Sequence, residues 1–290
     1  MARLAFLGSP EVAAVTLQAL LEAGHDVAVV VTGPDRRRGR GPALTPTPVK
    51  RLALERGIPV GDRLEDAVGA ELGVVVAFGR LVPERLLDQL DFVNVHFSLL
   101  PRWRGAAPVE RAILAGDEQT GVSLMKLEAG LDTGPVYASR ATPIGPHETA
   151  AELRERLGVL GSALLVERLS RGLESLGEPV PQDPDVEPTY AAKLDPRELE
   201  LDWSRSAVEL ERLVRVGRAW TTVAGRRLIV WRAIAGPSLG QVPPGGLVGR
   251  RVAAGEGSLE LVEVQPEGRG RMPAEDWTRG ARLGDGVRLG

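Results

Sequence analysis

The sequence predicts an α/β protein in which a Rossmann-like, mainly parallel sheet is followed by a small β-barrel. Two patterns predict this fold class. Over the first hundred residues, short apolar runs alternate with amphipathic segments, which is typical of parallel strands joined by helices. After residue 205, glycine and proline separate short strand-like runs, which is typical of a small barrel of the OB kind.

The predicted elements of the sheet begin with a strand at Arg3–Leu7 and the turn Gly8-Ser9-Pro10. Further short apolar runs predict strands at Asp26–Val31, Val74–Phe78, Phe92–His96, Val122–Leu127 and Val136–Thr142. Amphipathic segments predict helices at Glu11–Ala23, Pro48–Arg56, Pro83–Leu90, Ala107–Ala115 and Glu148–Leu173. Ligands of such sheets bind beyond the carboxyl ends of strands, where Gly8 and His96 fall.

A proline-rich stretch, Glu178–Pro188, resists regular structure and divides the chain. It predicts an N-terminal domain at residues 1–177, a linker at 178–204 and a C-terminal barrel at 205–290. A helix at about Ser206–Arg218 precedes barrel strands predicted at Arg226–Ala233, Gly246–Ala253 and Leu259–Val264.

Composition excludes several classes of function. The chain has no cysteine, which excludes disulfides, thiolate metal sites and a cysteine nucleophile. Its three histidines are scattered, so no metal site is predicted. No apolar run is long enough for a membrane span, and the N-terminus lacks the features of a signal peptide. We therefore expect a cytoplasmic protein.

The net charge of −3 hides an asymmetry between the two ends of the chain. Residues 205–290 contain 14 Arg against 9 acidic residues, a net charge of +5, so residues 1–204 carry −8. A basic C-terminal part favours a polyanionic partner.

Asn94 is the only asparagine of the chain, and it lies two residues before His96. Residues two apart on a strand point to the same face, so both polar side chains are expected in one place. An amide and an imidazole there suit a carbonyl carbon that becomes tetrahedral. Taken alone, an isolated N-x-H is as often a pair of satisfied structural groups.

Two further motifs follow that pair. The first runs from Ser98 to Pro108, S-L-L-P-R-W-R-G-A-A-P, and the second is Gly130-Leu131-Asp132-Thr133-Gly134. Asp132 could orient His96 and hold its proton. Taken alone, an aspartate between glycines is more often a turn residue.

N-V-H, S-L-L-P-x-x-R-G-x-x-P and G-L-D-T-G, in this order and spacing, resemble the folate-dependent formyltransferases. The likeness covers nearly the full length, including the opening F-L-G-S-P, T-Y-A-x-K-L near Lys193 and D-W-S near Trp203. It implies the formyltransferase fold and, as donor, 10-formyltetrahydrofolate. Within the family, the whole chain looks like the members that formylate the methionine amino group of initiator methionyl-tRNA. A monomer is expected.

The resemblance also implies site residues. Asn94 would hydrogen-bond the oxyanion, and His96, protonated with help from Asp132, would stabilise the same charge while water relays a proton. The folate would lie beside the loop Ser98, Leu99, Leu100 and Pro101. The walls of the pterin pocket would be Phe78, Gly79, Arg80 and Leu81, with Leu127–Leu131. Position 97 is Phe where the family usually has a small residue.

A basic loop follows the second predicted strand, with four arginines in five positions: Arg36, Arg37, Arg38 and Arg40. Such a loop can be a solvated surface feature, or it can contact phosphates. The resemblance implies that it enters the acceptor stem of the tRNA, with Arg40 the best single candidate. The basic barrel would hold the tRNA more generally through its phosphates, with Trp220, Trp231 and Trp277 in the core.

Three alternatives remain open from the residues. A formyltransferase for a small amine, such as a nucleotide amino sugar, would share the Asn94, His96 and Asp132 centre without needing the basic loop. A dinucleotide-binding dehydrogenase is weakly indicated, because Gly8-Ser9-Pro10 lacks G-x-G-x-x-G. A non-catalytic RNA-binding protein would leave Asn94 and His96 unexplained.

Overall fold

A computed structural model describes residues 2–37, 44–281 and 286–290. By their contacts they divide into two compact units. The first contains most of the chain up to Ala192, and the second contains Lys193–Gly290 with two earlier segments, Glu110–Glu118 and Ile144–Leu153. The domain boundaries at residues 177 and 205 stay a prediction. No helix within the described ranges is both long and apolar enough to cross a membrane.

The described part of the first unit is built on a seven-stranded sheet. In spatial order, its strands are Val136–Pro143, Gln119–Lys126, Phe92–His96, Leu72–Val76, Arg3–Gly8, Asp26–Val31 and Val60–Gly61. The last five are parallel to one another, and the first two run antiparallel at one edge. The strand Leu72–Val76 is entirely buried, as its continuous apolar run predicts. The prediction of a mainly parallel sheet is confirmed.

The α-helices along this part of the chain are Glu11–Glu22, Pro48–Glu55, Glu84–Leu87, Pro108–Ala115 and Ala150–Leu169. Short 3₁₀ turns lie at Leu64–Ala67 and Leu173–Leu176. The helix at Pro48 begins where the Thr47 side chain accepts a hydrogen bond from the Lys50 N–H, and proline suits the first helical position. The predicted strand Val74–Phe78 ends earlier, at Val76, because Ala77 has a φ of 45° and leaves the extended conformation.

The first part of the stretch predicted as a linker is attached to the first unit at two points. Val180 exchanges two backbone hydrogen bonds with Val136. Further on, Tyr190–Ala191 forms a short parallel pair with Arg104–Gly105. Proline still excludes regular structure between these points, but backbone hydrogen bonds fix the segment to the first unit at each of them.

The second unit is built around an antiparallel sheet. Its described strands, in spatial order, are Ala219–Val223, Arg226–Gly236, Ser258–Pro266, Arg251–Ala253 and Leu247–Val248, with Met272–Pro273 paired to Ser258–Pro266. Near the chain end, Leu289 bridges to Val223 and Arg288 bridges to Gly246. These residues lie next to the two outer strands, so the last residues connect the two edges of the sheet. The prediction of a separate small β unit after the parallel sheet is confirmed, and its paired strands are antiparallel.

Helices cover the core of the second unit. The helix Ala207–Val216 begins with a reciprocal cap between Ser206 and Glu209, and its buried side chains pack on the sheet. A further helix, Ala274–Ala281, was not predicted, and a 3₁₀ turn lies at Pro196–Leu199. The strand Ala219–Val223 was also missed.

Candidate active site

Asn94 and His96 lie on the strand Phe92–His96 of the first unit, at its carboxyl end. Asn94 is opposite Val75 on one neighbouring strand and Met125 on the other. Both side chains line one cavity, as their spacing of two predicted. His96 is only 5% exposed, whereas Asn94 is half-buried.

Asp132 joins them from a separate loop. Its Oδ2 lies 3.6 Å from His96 Nδ1 and accepts a hydrogen bond of 2.7 Å from the Gly105 N–H. Asp132 has a φ of 50°, a left-handed conformation that costs energy for a residue with a Cβ. The three residues proposed from the sequence for catalysis are therefore brought together.

The second ring nitrogen of His96 has a fixed partner as well. Nε2 donates to the Trp103 carbonyl oxygen at 2.9 Å, because a carbonyl can only accept. Both nitrogens thus face acceptors. Burial lowers the pKa of His96 below its ordinary value, while Asp132 and the Trp103 carbonyl oppose this by favouring the charged ring.

The resemblance implies a His96 that is protonated with help from Asp132 during the reaction, whereas the direction of this pKa shift favours the neutral ring. A histidine whose pKa lies below 6.5 is mostly neutral at pH 7. The proton of the neutral ring sits on Nε2, because Trp103 fixes it there. Nδ1 is then left as an acceptor beside Asp132 and the cavity.

The Asn94 side chain has no hydrogen-bond partner within the described ranges. A half-buried amide without a partner leaves both of its N–H groups available to a ligand. It differs in this from His96 and Asp132, which are both engaged by the protein. Asn94 is therefore the group of the three that is free to bind a substrate oxygen.

Asn94 lines a cavity of about 620 Å³ in the first unit, and a separate cavity of about 370 Å³ lies in the second unit. The walls of the larger one contain every pocket residue predicted from the sequence: Phe78, Gly79, Arg80, Leu81 and Leu127–Leu131. Phe97 lines it too and is 7% exposed, so its ring fills part of the wall.

The loop Ser98–Pro101 is not part of these cavity walls. Ser98 is fully buried, and its hydroxyl donates to the Arg102 carbonyl at 2.6 Å. Ser123 Oγ donates to the Ser98 carbonyl at 2.8 Å and accepts from the Leu100 N–H at 3.2 Å. These bonds shape the turn that follows His96. Contact of this loop with folate stays a prediction.

Sequence reasoning missed two residues that hold the loops around His96. Gln182 and Thr189, in the stretch predicted as a linker, bond to the loops that carry Trp103 and Asp132. On one side of these contacts, Arg104 and Gly105 belong to the sequence motif R-G-x-x-P, so the sequence did point to this loop. No local pattern marks Gln182, whose partners are 48 to 78 residues away.

The basic loop is described only at its ends. Arg36–Arg37 pairs antiparallel with Leu44–Thr45 in a short ribbon, and both arginines are exposed. Arg38 and Arg40 lie outside the described residues. At the base of the ribbon, Lys50 Nζ lies 2.9 Å from Asp35 Oδ1.

The tryptophans of the second unit correct one expectation. Trp277 is 7% exposed and belongs to the core, as predicted. Trp220 and Trp231 are only half-buried, so the expectation of core positions was wrong for them. The guanidinium of Arg227 lies 4.3 Å from the centre of the Trp220 ring, and that of Arg271 lies 3.4 Å from Trp231. Alternation along the sheet places these rings on the side away from the core.

The first unit thus has a mainly parallel sheet with Asn94 and His96 at one strand end and Asp132 beside them, and an antiparallel unit follows it in the chain. Residues 2–169 match the formyl transferase family, and residues 193–282 match the formyl transferase C-terminal domain family. The chain belongs to this family.

Its similarity to one group of members extends over the full length. It is 43% identical over 301 residues to the methionyl-tRNA formyltransferase of Roseobacter denitrificans, covering 98% of each chain. Among solved structures, an N-formyltransferase from Helicobacter canadensis with folinic acid and dTDP-3-aminofucose superposes with a TM-score of 0.69 at 17% identity, covering 92% of this chain and 100% of that one. HypX from Aquifex aeolicus with tetrahydrofolic acid gives 0.67 at 18% identity, covering 98% of this chain and 48% of that one. At such identities the two structures establish the shared fold.

Proposed function

We propose that this chain transfers the formyl group of 10-formyltetrahydrofolate to the amino group of methionine on initiator tRNA. The single observation that carries formyl transfer is the unpartnered Asn94 amide beside the paired His96 and Asp132. The choice of acceptor is supported by the methionyl-tRNA formyltransferase that matches 98% of the chain at 43% identity. We expect the reaction to take place in the cytoplasm and the protein to act as a monomer.

Asn94 is assigned to the formyl oxygen. When an amine adds to a carbonyl carbon, negative charge develops on the oxygen, and a fixed N–H donor stabilises it. The Asn94 amide is free to donate, and the neighbouring strands on both sides hold its backbone. No reorganisation of the protein is therefore needed for this hydrogen bond to form.

His96 and Asp132 are assigned to the proton. The attacking amine must lose a proton, and N10 of the donor must gain one as its bond to the formyl carbon breaks. Neutral His96 can accept the first proton on Nδ1, directly or through a water molecule. The resulting imidazolium would be stabilised by Asp132 Oδ2 on one side and by the Trp103 carbonyl on the other.

The cavity fits a folate. Its 620 Å³ are within the range that encloses a small-molecule ligand, and apolar side chains with glycine backbone form much of its wall. Phe78, Gly79, Arg80 and Leu81 would hold the ring system of the donor. When bound, the folate supplies the formyl group at an oxidation level that requires no redox step.

Exposed arginines support a tRNA substrate. Arg36 and Arg37 are exposed in the first unit, and Arg38 and Arg40 belong to the same run of sequence. In the second unit, the Arg227 and Arg271 guanidiniums are presented on tryptophan rings. Such groups suit phosphates, since guanidinium binds phosphate oxygens in pairs.

The test is formylation of charged initiator tRNA with 10-formyltetrahydrofolate by the wild type, Asn94→Ala and Arg40→Ala. We expect Asn94→Ala to lose turnover and Arg40→Ala mainly to raise KM for tRNA, with a shallower salt dependence. Equal formylation of a free amino sugar, with no response to Arg40→Ala, would instead assign the chain to small amines.

A further inference from the structure

The segment between residues 180 and 191 connects the two loops that complete the active site. One loop carries Trp103 and Gly105, whose backbone groups bond to His96 and Asp132. The other carries Asp132 itself. The two loops are far apart in sequence, so their relative position depends on contacts made from a third segment.

Gln182 makes those contacts with both ends of its amide. Its Nε2 donates to the Asp132 carbonyl at 2.8 Å and to the Gly134 carbonyl at 2.9 Å. Its Oε1 accepts from Arg104 Nε at 3.0 Å and from Nη2 at 2.7 Å. One half-buried side chain thus binds both loops through four hydrogen bonds.

Thr189 holds the first loop at a second point. Its Oγ1 accepts from the Trp103 N–H, and its carbonyl accepts from the Arg104 N–H, both at 2.8 Å. Gly105 has a φ of 122°, and a Cβ there would lie 2.8 Å from the Ala191 carbonyl oxygen. The backbones are therefore too close for any residue but glycine, which leaves little freedom for the loop to shift.

Both loops contain residues that would relax without such support. Trp103 has a φ of 63° and Asp132 one of 50°. Left-handed residues with side chains persist only where the surroundings over-determine them. Gln182 and Thr189 bond directly to the backbone of these two residues.

We propose that Gln182 is a positioning residue for formyl transfer, holding Asp132 and the Trp103–Gly105 backbone at fixed distances from His96. The expected effect on kcat rests on the proposed function. Gln182 does not line the cavity beside Asn94, so its loss should not remove a contact with substrate. It should instead lower kcat, because small displacements of catalytic groups slow the chemical step.

The main test compares Gln182→Met and Gln182→Glu with a matched control, Gln89→Met. Gln89 is exposed in the same unit, and its side chain donates one hydrogen bond of 2.8 Å to a backbone carbonyl. Gln182→Glu keeps the acceptor for Arg104 but places a carboxylate against two carbonyls. We expect both Gln182 variants to lose about 10- to 100-fold in kcat, the scale of a displacement of about 1 Å. KM for both substrates should stay within about twofold.

A second readout needs no substrate. The chain has three histidines, so the ring nitrogens of His96 can be assigned by NMR in labelled protein. The wild type should show Nε2 protonated and Nδ1 unprotonated, and Gln182→Met should show a mixture of both tautomers. The tautomer measurement does not depend on activity. If the wild type fails to formylate charged tRNA, that result overturns the proposed function, but the positioning role of Gln182 can still be tested in this way.

Unchanged kcat and an unchanged His96 tautomer in both Gln182 variants would overturn the proposal. So would a loss equally large in Gln89→Met. If Gln182→Met does not fold, Thr189→Val serves instead, since it removes the acceptor for the Trp103 N–H while keeping the shape. Thr189→Ser should then restore kcat, because it retains the hydroxyl. Failure of that rescue would also count against a positioning role.

Discussion

In the first unit, His96 is 5% exposed and both of its ring nitrogens face fixed acceptors, whereas in the second unit Arg227 and Arg271 are exposed on half-buried tryptophans. The first arrangement excludes water around a few polar groups and fixes their geometry. The second keeps cations in solvent, where a charged partner can reach them. Substitutions around His96 should therefore change kcat, whereas substitutions of the exposed arginines should change KM for tRNA.

The largest effect is expected from His96→Gln. Glutamine can still donate to the Trp103 carbonyl, but it cannot accept the proton of the amine. General base catalysis contributes about 10²–10⁴-fold, so kcat should fall by that order in a single-turnover assay. The control is His147→Gln, whose ring is 66% exposed in the second unit and pairs with Glu211. Full activity of His96→Gln would contradict the proton-transfer role.

The second largest effect is expected from Asn94→Ala. Its kcat should fall by about 10²–10³-fold, which is the usual cost of removing one oxyanion donor. The substitution removes no hydrogen bond within the described ranges, so thermal stability should hardly change. Gln119→Ala, which removes an exposed amide from the same unit, should leave kcat unaltered. A defect confined to KM would show that Asn94 binds the ground state and transition state equally.

A smaller effect, in a different constant, is expected from the double variant Arg227→Ala with Arg271→Ala. KM for charged tRNA should rise by about tenfold, and the slope of log KM against log salt should become shallower by about one per lost phosphate contact. The kcat at saturating tRNA should not change. Arg279→Ala is the matched control, because its guanidinium is already paired with Asp276 at 2.6 Å on the same helix. A fall in kcat in the double variant would contradict the prediction that these arginines act only on tRNA binding.

The smallest effect concerns pH. In the proposed mechanism neutral His96 accepts the proton, so kcat/KM should be fully developed above the His96 pKa and lost as pH falls through it. Because burial lowers this pKa, the acid limb should lie below 6.5. Asp132→Asn removes a charge that raises the pKa, so the limb of the residual activity should move to still lower pH. A limb above 6.5 in the wild type would show that His96 works as the charged ring.

The sequence predicts this strand of the first sheet well because local signals mark both of its ends. The bounds Phe92–His96 agree with the structure, and the spacing of Asn94 and His96 correctly predicts one shared cavity. The strand Ala219–Val223 was missed because it follows a glycine and an arginine and contains two polar threonines, so it has no long apolar run. Its half-buried Trp220 was assigned to the core for the same reason: alternation is visible only once the strand is known.

The support around the site could not be predicted in this way. Gln182 lies in a proline-rich stretch, and its partners are separated from it by loops whose paths depend on the folded sheet. The protonation of His96 also depends on burial and on the Trp103 carbonyl, neither of which has a sequence signature. Residue types predict the chemistry, but the distances between chain segments decide how that chemistry is held.

The bridges from Arg288 and Leu289 to the two sides of the C-terminal sheet bear on the order in which the protein can fold during synthesis. Translation delivers the chain from its N-terminus, and units fold as they emerge from the ribosome. The strands of the catalytic sheet end at Pro143, so they can assemble while the ribosome is still adding residues. The second sheet cannot be joined edge to edge until Arg288 and Leu289 have left the exit tunnel. A chain cut short near residue 280 would therefore keep the strands of the first sheet but leave the outer strands of the second without these bridges, as unpaired edges open to neighbouring chains.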